Sequence, residues 1–363
     1  MSIADQPSPV KAPAELDTVL AHLRQHFDAP HLQLARPPRP LSGGFWAEMW
    51  TLDLAPDGRT DLPARVVLRL APDPQPAAWE TTFQAGVAEK NYPTPKIYAF
   101  DFNPNASARA WCVMEHVDGV PLLGGLSGLR AIGALPRLAT GLPDTLARAA
   151  ADLHRLDPTP IENALAALGD RTVGVDSIID HYVSFAGELG DSSLQRSIEQ
   201  LASTRPNSRQ LVVCHGDLHP FDVLTVADHH VVLDWTAGQL AHPAFDLAFT
   251  HLLLANPPLA APKPLRPIIN TAARRLANRF INTYRKIGPH PSDNDTLDWY
   301  RRLHACRIIT DLTAWQPTAP STPTKAIHGS RWSRSYDRSS RREHVRRQRD
   351  GGADYDVFAT TSA

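Results

Sequence analysis

Hydrophobic positions change period along this chain. After a polar, Pro-containing start over residues 1–13, Leu16, Val19, Leu20 and Leu23 recur at helical spacing and predict a short leading helix. Apolar runs bounded by turn residues then predict strands near Leu32–Leu34, Glu48–Leu54, Arg65–Leu70, Lys96–Phe100 and Ala110–His116, with one helix around Ala77–Lys90. Past Val117-Asp118-Gly119-Val120-Pro121, which reads as a hinge, the period becomes helical. It predicts helices near Pro143–Leu156, Asp176–Glu188, Ser192–Ser203, Pro243–Leu254, Pro264–Ile287 and Thr296–Trp315, around a small two-strand insert whose turn holds Asp228. The expectation is an α+β chain: an extension with its helix (1–30), a sheet-bearing lobe (31–120), a helical lobe (121–316) and a tail (317–363).

The tail has a different composition. Pro, Thr, Ser and Arg dominate from about Pro317, with eight Arg between Arg331 and Arg349 and almost no Leu, Ile or Val, so burial cannot offset its ordering entropy and disorder is expected. A basic arm for an acidic partner is the functional alternative to a solvated charge run.

Length and composition narrow the function. At 363 residues, 42% hydrophobic and 21% charged, the chain suits two lobes with a sizeable core. Its formal net charge of -1 gives no general pull toward nucleic acid or anionic membrane. Cys112, Cys214 and Cys306 lack metal-ligand spacing, and no basic-then-apolar leader or membrane-length apolar run is present, so a cytoplasmic protein is expected.

The densest chemistry lies in Cys214-His215-Gly216-Asp217-Leu218-His219-Pro220-Phe221-Asp222-Val223-Leu224 and in Val231-Val232-Leu233-Asp234-Trp235. Carboxylates beside Val and Leu runs are half buried, and buried charge is paired or bound to a cation. Asp217 and Asp222 stand five apart, the separation of base and metal-binding residue in phosphoryl-transfer loops, and Asp234 follows on the next apolar strand. This order makes Asp217 a candidate base and Asp222 and Asp234 candidate ligands for Mg²⁺. Leu41-Ser42-Gly43-Gly44-Phe45-Trp46, between two predicted strands, could bring backbone N–H groups to triphosphate oxygens, although a Gly-Gly pair there also makes a plain hairpin turn.

His-Gly-Asp-Leu-His-Pro followed by Leu-Asp-Trp, and then Ala241-His242-Pro243-Ala244-Phe245-Asp246-Leu247-Ala248, resembles the aminoglycoside phosphotransferase and choline kinase-like family. That resemblance implies a two-lobed protein-kinase-like fold and a small-molecule kinase using ATP or GTP. It places Arg69 of Val66-Val67-Leu68-Arg69-Leu70 at the phosphate-pairing Lys position and Glu80, near the start of the following helix, as its partner. It also supports Ser42, Gly43 and Gly44 as a phosphate loop and Asp246 as a support of the catalytic loop. Glu115, His116 and Val117, ending the last small-lobe strand, become a candidate purine-binding hinge. Two positions depart from the family pattern: Asp222 replaces Asn, and Phe221 replaces Gly. With Arg69, they motivate the competing reading of a pseudokinase that binds nucleotide or protein without transfer.

Other readings are weaker. His215 and His219 are spaced like a helical zinc pair, but Gly216 and Pro220 argue for a loop, where His215 holds the backbone by hydrogen bonds. No Gly-x-Ser-x-Gly elbow supports a serine hydrolase. Few carboxylates are concentrated in the expected acceptor-gripping helices, which favours a metabolite or lipid-like alcohol over a polycationic aminoglycoside as acceptor.

Overall fold

The computed structural model describes residues 12–41, 47–55, 62–102, 109–123, 129–169, 173–207, 210–257, 263–290 and 292–315. The chain folds into a small antiparallel sheet followed by a mostly helical lobe. Leading helix α1 (Leu16–His26) precedes β1 (Arg39–Leu41), β2 (Glu48–Asp53), β3 (Arg65–Ala71), α2 (Pro74–Glu89), β4 (Ile97–Asp101) and β5 (Ala110–Glu115). The sheet order is β1-β2-β3-β5-β4, with every neighbour antiparallel. Central β3 is largely buried, and the predicted stripe on α1, Val19, Leu20 and Leu23, packs with Trp50, Leu52, Leu68 and Trp111. This forms the small lobe's own core.

Three expectations shift here. Leu32–Leu34 is not a sheet strand: Leu34 makes one isolated bridge to Leu54, and pairing resumes at Arg39 beyond Pro37 and Pro38, which have no N–H to donate. Helix α2 starts at Pro74 because Asp73 caps it, accepting from the Gln75 amide, with Pro in the first turn. Glu80 therefore lies in the second turn, beyond the first-turn dipole effect. Helix α2 is also shared between lobes, since Phe83 and Val87 join the helical lobe's core and Trp79 Nε1 donates to the Gly238 carbonyl at 3.0 Å.

The helical lobe contains β6 (Val120–Pro121), α3 (Leu129–Leu153), α4 (Thr159–Ala166), α5 (Val175–Glu188), α6 (Ser192–Ser203), β7 (Val212–Cys214), β8 (Val223–Val226), β9 (His229–Val232), β10 (Gln239–Ala241), α7 (Ala244–Ala255), α8 (Arg266–Ile287) and α9 (Asn294–Trp315). Helix α3 begins well before Pro143, the expected start, and continues through it. Leu142 and Leu146 are buried on a helix packed along α8, and that burial outweighs the bond Pro cannot make. The short α4 escaped the periodicity reading. The insert is larger than two strands: β6 joins the β8–β9 hairpin, while β7 pairs with β10. The tail from Pro317 lies outside the described residues. Among the described residues, no helix is long and apolar enough to cross a membrane.

Candidate active site

Residues 215–222 link β7 to β8, and the loop is built on Gly216. Its φ is +77°, and a Cβ there would stand 2.2 Å from the Ala237 carbonyl oxygen, so the position requires glycine. The His215 and Gly216 amides donate to the two carboxylate oxygens of Asp246, at 2.9 and 2.6 Å, from the first turn of α7. Asp246 is fully buried and also meets His154 Nε2 at 3.0 Å, while His154 Nδ1 lies 2.7 Å from the Tyr284 hydroxyl. Burial works to raise the Asp246 carboxyl, but His154, the Gly216 amide and His215 together hold it below its ordinary value. Thr250 on α7 adds a bond to the Leu218 carbonyl at 2.7 Å.

His215 is the second support expected of the loop. Its Nδ1 accepts from the Asp217 amide at 3.3 Å, and its Nε2 meets the Leu233 carbonyl at 2.8 Å, a pattern that fits the tautomer protonated on Nε2. One ring thus ties the Asp217 loop to the segment carrying Asp234. Asp217 is partly exposed, and no donor among the described residues bonds its carboxylate.

Asp222 and Asp234 are brought together by the backbone, because the Leu233 amide donates to the Asp222 carbonyl at 2.7 Å. Burial pushes the Asp222 carboxyl up to about 6, with His219 pulling down and Asp234 pushing up. His219 Nδ1 stands 3.0 Å from Asp222 Oδ2, an ion-pair distance without hydrogen-bond alignment. Burial disfavours the His219 charge, yet Asp222 and Asp217 raise it to about 9. Asp234 is exposed at φ +61°, a left-handed conformation unusual for a residue with a side chain, and Thr236 donates to its Oδ1 through N–H and hydroxyl at 3.2 and 2.6 Å. Two adjacent carboxylates, one exposed and one half-buried, are the hard-oxygen donors Mg²⁺ takes, so the residues fit that ion. Phe221 is 61% exposed and does not fill the space between them.

A second group of potential ligands, His154, Cys214 and Asp246, has its atoms within 4.8 Å of one another and is wholly buried. Its hydrogen bonds are already spent within the protein: the Cys214 thiol faces the Ala241 and His242 carbonyls at 3.7 Å, and burial raises it well above its ordinary value. This is loop support rather than a metal site.

On the small-lobe side, Arg69 Nη1 meets Glu80 Oε2 at 2.6 Å in the interior, so the two form the expected pair. Burial opposes the Arg69 charge, but Glu80 and the more distant Asp234 leave it raised. Burial pushes Glu80 up to about 7 against the pull of Arg69, with Asp234 adding to the rise. Ser42, Gly43 and Gly44 lie outside the described residues. Glu115 ends β5, with its amide on the Lys96 carbonyl at 2.8 Å and its carboxylate accepting from the Lys96 amide at 3.2 Å. His116 and Val117 follow in irregular backbone, where the Val117 carbonyl accepts from the Gly119 amide at 3.1 Å. A Cβ on Gly119 would approach Leu224 Cβ to 2.8 Å, so glycine lets this linker lie against β8.

Three residues near the loop carried no sequence signal. Arg307 on α9 donates to the Gly216 carbonyl at 2.7 Å, and Asp311, one turn further, accepts from the Tyr182 hydroxyl of α5 at 3.3 Å. Their spacing of four on a long helix was visible, but the loop they face was not.

The sequence pattern of the phosphotransferase enzyme family matches residues 38–290. An aminoglycoside 3'-phosphotransferase of Streptomyces fradiae is 26% identical over 276 residues, covering 72% of this chain and 90% of that protein. One from Streptomyces ribosidificus is 29% identical over 171 residues, covering 44% of this chain and spanning only 58% of that relative. Among solved structures, a candidate aminoglycoside phosphotransferase from Ralstonia eutropha superposes with a TM-score of 0.60 at 20% identity, over 83% of this chain and 88% of its own. That likeness establishes the shared two-lobed fold.

Proposed function

Because the chain belongs to the phosphotransferase enzyme family, we propose that it moves the γ-phosphoryl group of ATP or GTP to a hydroxyl of a small molecule. The observation that carries this reading is the convergence of charged groups on one site: the Leu233 amide on the Asp222 carbonyl at 2.7 Å sets Asp222 beside Asp234, and the buried Arg69–Glu80 pair, joined at 2.6 Å, lies within reach of the Asp234 charge. Groups that must meet one nucleotide thus already sense one another.

Asp217 orients the acceptor hydroxyl and takes its proton, a role suited to a carboxylate left free of donors. Asp222 and Asp234 hold the cation, and bound Mg²⁺ supplies charge neutralisation on the phosphates. Arg69, fixed by Glu80, faces phosphate with a planar fork. Ser42, Gly43 and Gly44 offer backbone amides to the phosphates, and Glu115, His116 and Val117 border the purine. Asp246 and His215 keep the loop in register.

Burial pushes the Asp311 carboxyl up to about 6, with Arg307 and the Tyr182 hydroxyl pulling it down and Asp217 pushing it up. With Arg307 facing both carboxylates the cluster is of mixed charge and selects no acceptor by sign; an acceptor bearing an amine is favoured by the names of both Streptomyces relatives.

Thermal unfolding with ATP or GTP, with and without Mg²⁺, tests the site. A ligand at 100 times its Kd adds about 2.7 kcal/mol. A metal-dependent upward shift is expected in the unaltered chain and its loss in Asp234→Ala. The absence of any shift at millimolar nucleotide sinks the reading and returns the pseudokinase.

A further inference from the structure

Phosphoryl transfer needs its base aimed, and a 1 Å misplacement costs about 10²-fold in rate. The peptide between Gly216 and Asp217 carries the Asp217 side chain, and it is held at both ends. Its N–H donates to His215 Nδ1 at 3.3 Å, and its carbonyl accepts from Arg307 Nη1 at 2.7 Å. The first contact is local to the loop. The second comes from α9, 91 residues away.

Arg307 is itself restrained on several sides. Its Cζ lies 5.3 Å from the centroid of the Phe249 ring, a cation–π contact. Its charge faces Tyr182, Asp217 and Asp311, and the Tyr182 hydroxyl donates to Asp311 at 3.3 Å. Helix α9 thus carries the guanidinium to the loop, α7 meets it through Phe249, and α5 reaches the next turn of α9 through the Tyr182–Asp311 bond. Asp246 holds the loop through the His215 and Gly216 amides; Arg307 holds it through the Gly216 carbonyl.

We infer that Arg307 is a positioning residue for phosphoryl transfer, fixing the peptide plane that aims Asp217, with Asp311, one turn along α9 and bonded by Tyr182, as a weaker restraint. This rests on the transfer reading for its kinetic consequence, but not for its structural one. A lysine at 307 keeps the charge but loses the planar fork, so charge and geometry are separable.

The test is hydrogen–deuterium exchange of the loop, compared among the unaltered chain, Arg307→Ala, Arg307→Lys and Tyr182→Phe, each with Mg-ATP. The expected result is exchange about tenfold faster in the 214–219 peptide of Arg307→Ala, in line with loss of one charge-assisted bond. Smaller increases are expected in Arg307→Lys and Tyr182→Phe, with β2, β3 and β5 unchanged and the nucleotide-induced thermal shift retained. In transfer assays kcat should fall about 10²-fold at nearly constant nucleotide KM, and added guanidinium should restore part of it. Unchanged loop exchange, or faster exchange spread through the whole helical lobe, overturns the inference. Should Arg307→Ala not fold, Tyr182→Phe and Arg307→Lys decide by the same comparison. A chain that transfers phosphate to no acceptor would defeat the proposed function, while the exchange comparison would still decide the role of Arg307.

Discussion

Asp246 and Asp217 are the same residue type about a loop's width apart, in opposite surroundings. Asp246 is buried, with two backbone amides and His154 on its oxygens. Asp217 is partly exposed, and no donor among the described residues bonds its carboxylate. The difference shows how one fold assigns two roles to one side chain: a carboxylate saturated with donors is a structural strut, and one left unsaturated in a cleft can take a proton. Intermediate between them are Asp222 and Asp234, half satisfied and adjacent, the condition in which a cation is most welcome.

The contrast can be broken from either end. Asp217→Asn is expected to lower transfer about 10²–10⁴-fold, while the nucleotide-induced thermal shift stays; steady-state kinetics beside the melting curve will show whether the two properties separate. Transfer surviving in that variant would assign the base elsewhere. Asp246→Ala should act on the opposite property, removing about 3–5 kcal/mol of unfolding stability, since His154 and two amides lose a buried anionic partner. Urea titration reads this directly, and a cost under about 1 kcal/mol would class Asp246 with surface carboxylates.

A smaller effect sharpens the comparison through a buried base instead of a buried acid. His304 on α9 bonds the Phe245 carbonyl at 2.8 Å through Nε2 and has an unpartnered buried Nδ1. Burial, reinforced by Arg307 and opposed by the Phe245 carbonyl, depresses it to about 3. The folded protein therefore keeps this ring neutral where the unfolded chain, with an ordinary histidine near 6.5, takes up a proton. Its stability contribution is complete above about pH 6.5 and declines as pH falls toward 3. Between pH 7 and 5 the loss attributable to this group is about 2 kcal/mol. His304→Gln, which can still donate to the carbonyl, should flatten that slope in paired urea titrations; an equally steep slope would place the pH dependence in other groups.

Much of this was legible in the sequence because it was local. Ser192–Ser203 was read to the residue, and the strands carrying Arg69 and Glu115 were found within one residue at either end. The base loop announced itself because Gly216, Asp217, Asp222 and Asp234 lie within 19 consecutive positions. The strand assigned to Leu32–Leu34 failed because a short apolar run cannot reveal whether a partner lies beside it. Glu80 was assigned to the right pair but the wrong turn, since Asp73 and Pro74 moved the helix start.

The chain by itself determined its family, most of its strands and helices, and the cluster of carboxylates proposed as its site. These follow from periodicity and from residue types at close spacing. Only the tertiary structure decided which polar groups are buried together: His154 and Tyr284 beneath Asp246, 92 and 38 residues from it, and Arg307 on the Gly216 carbonyl. Helical faces say which residues turn inward but not what they meet there. Hydrogen bonds of under 3 Å depend on the packing of several helices at once, which no local pattern encodes.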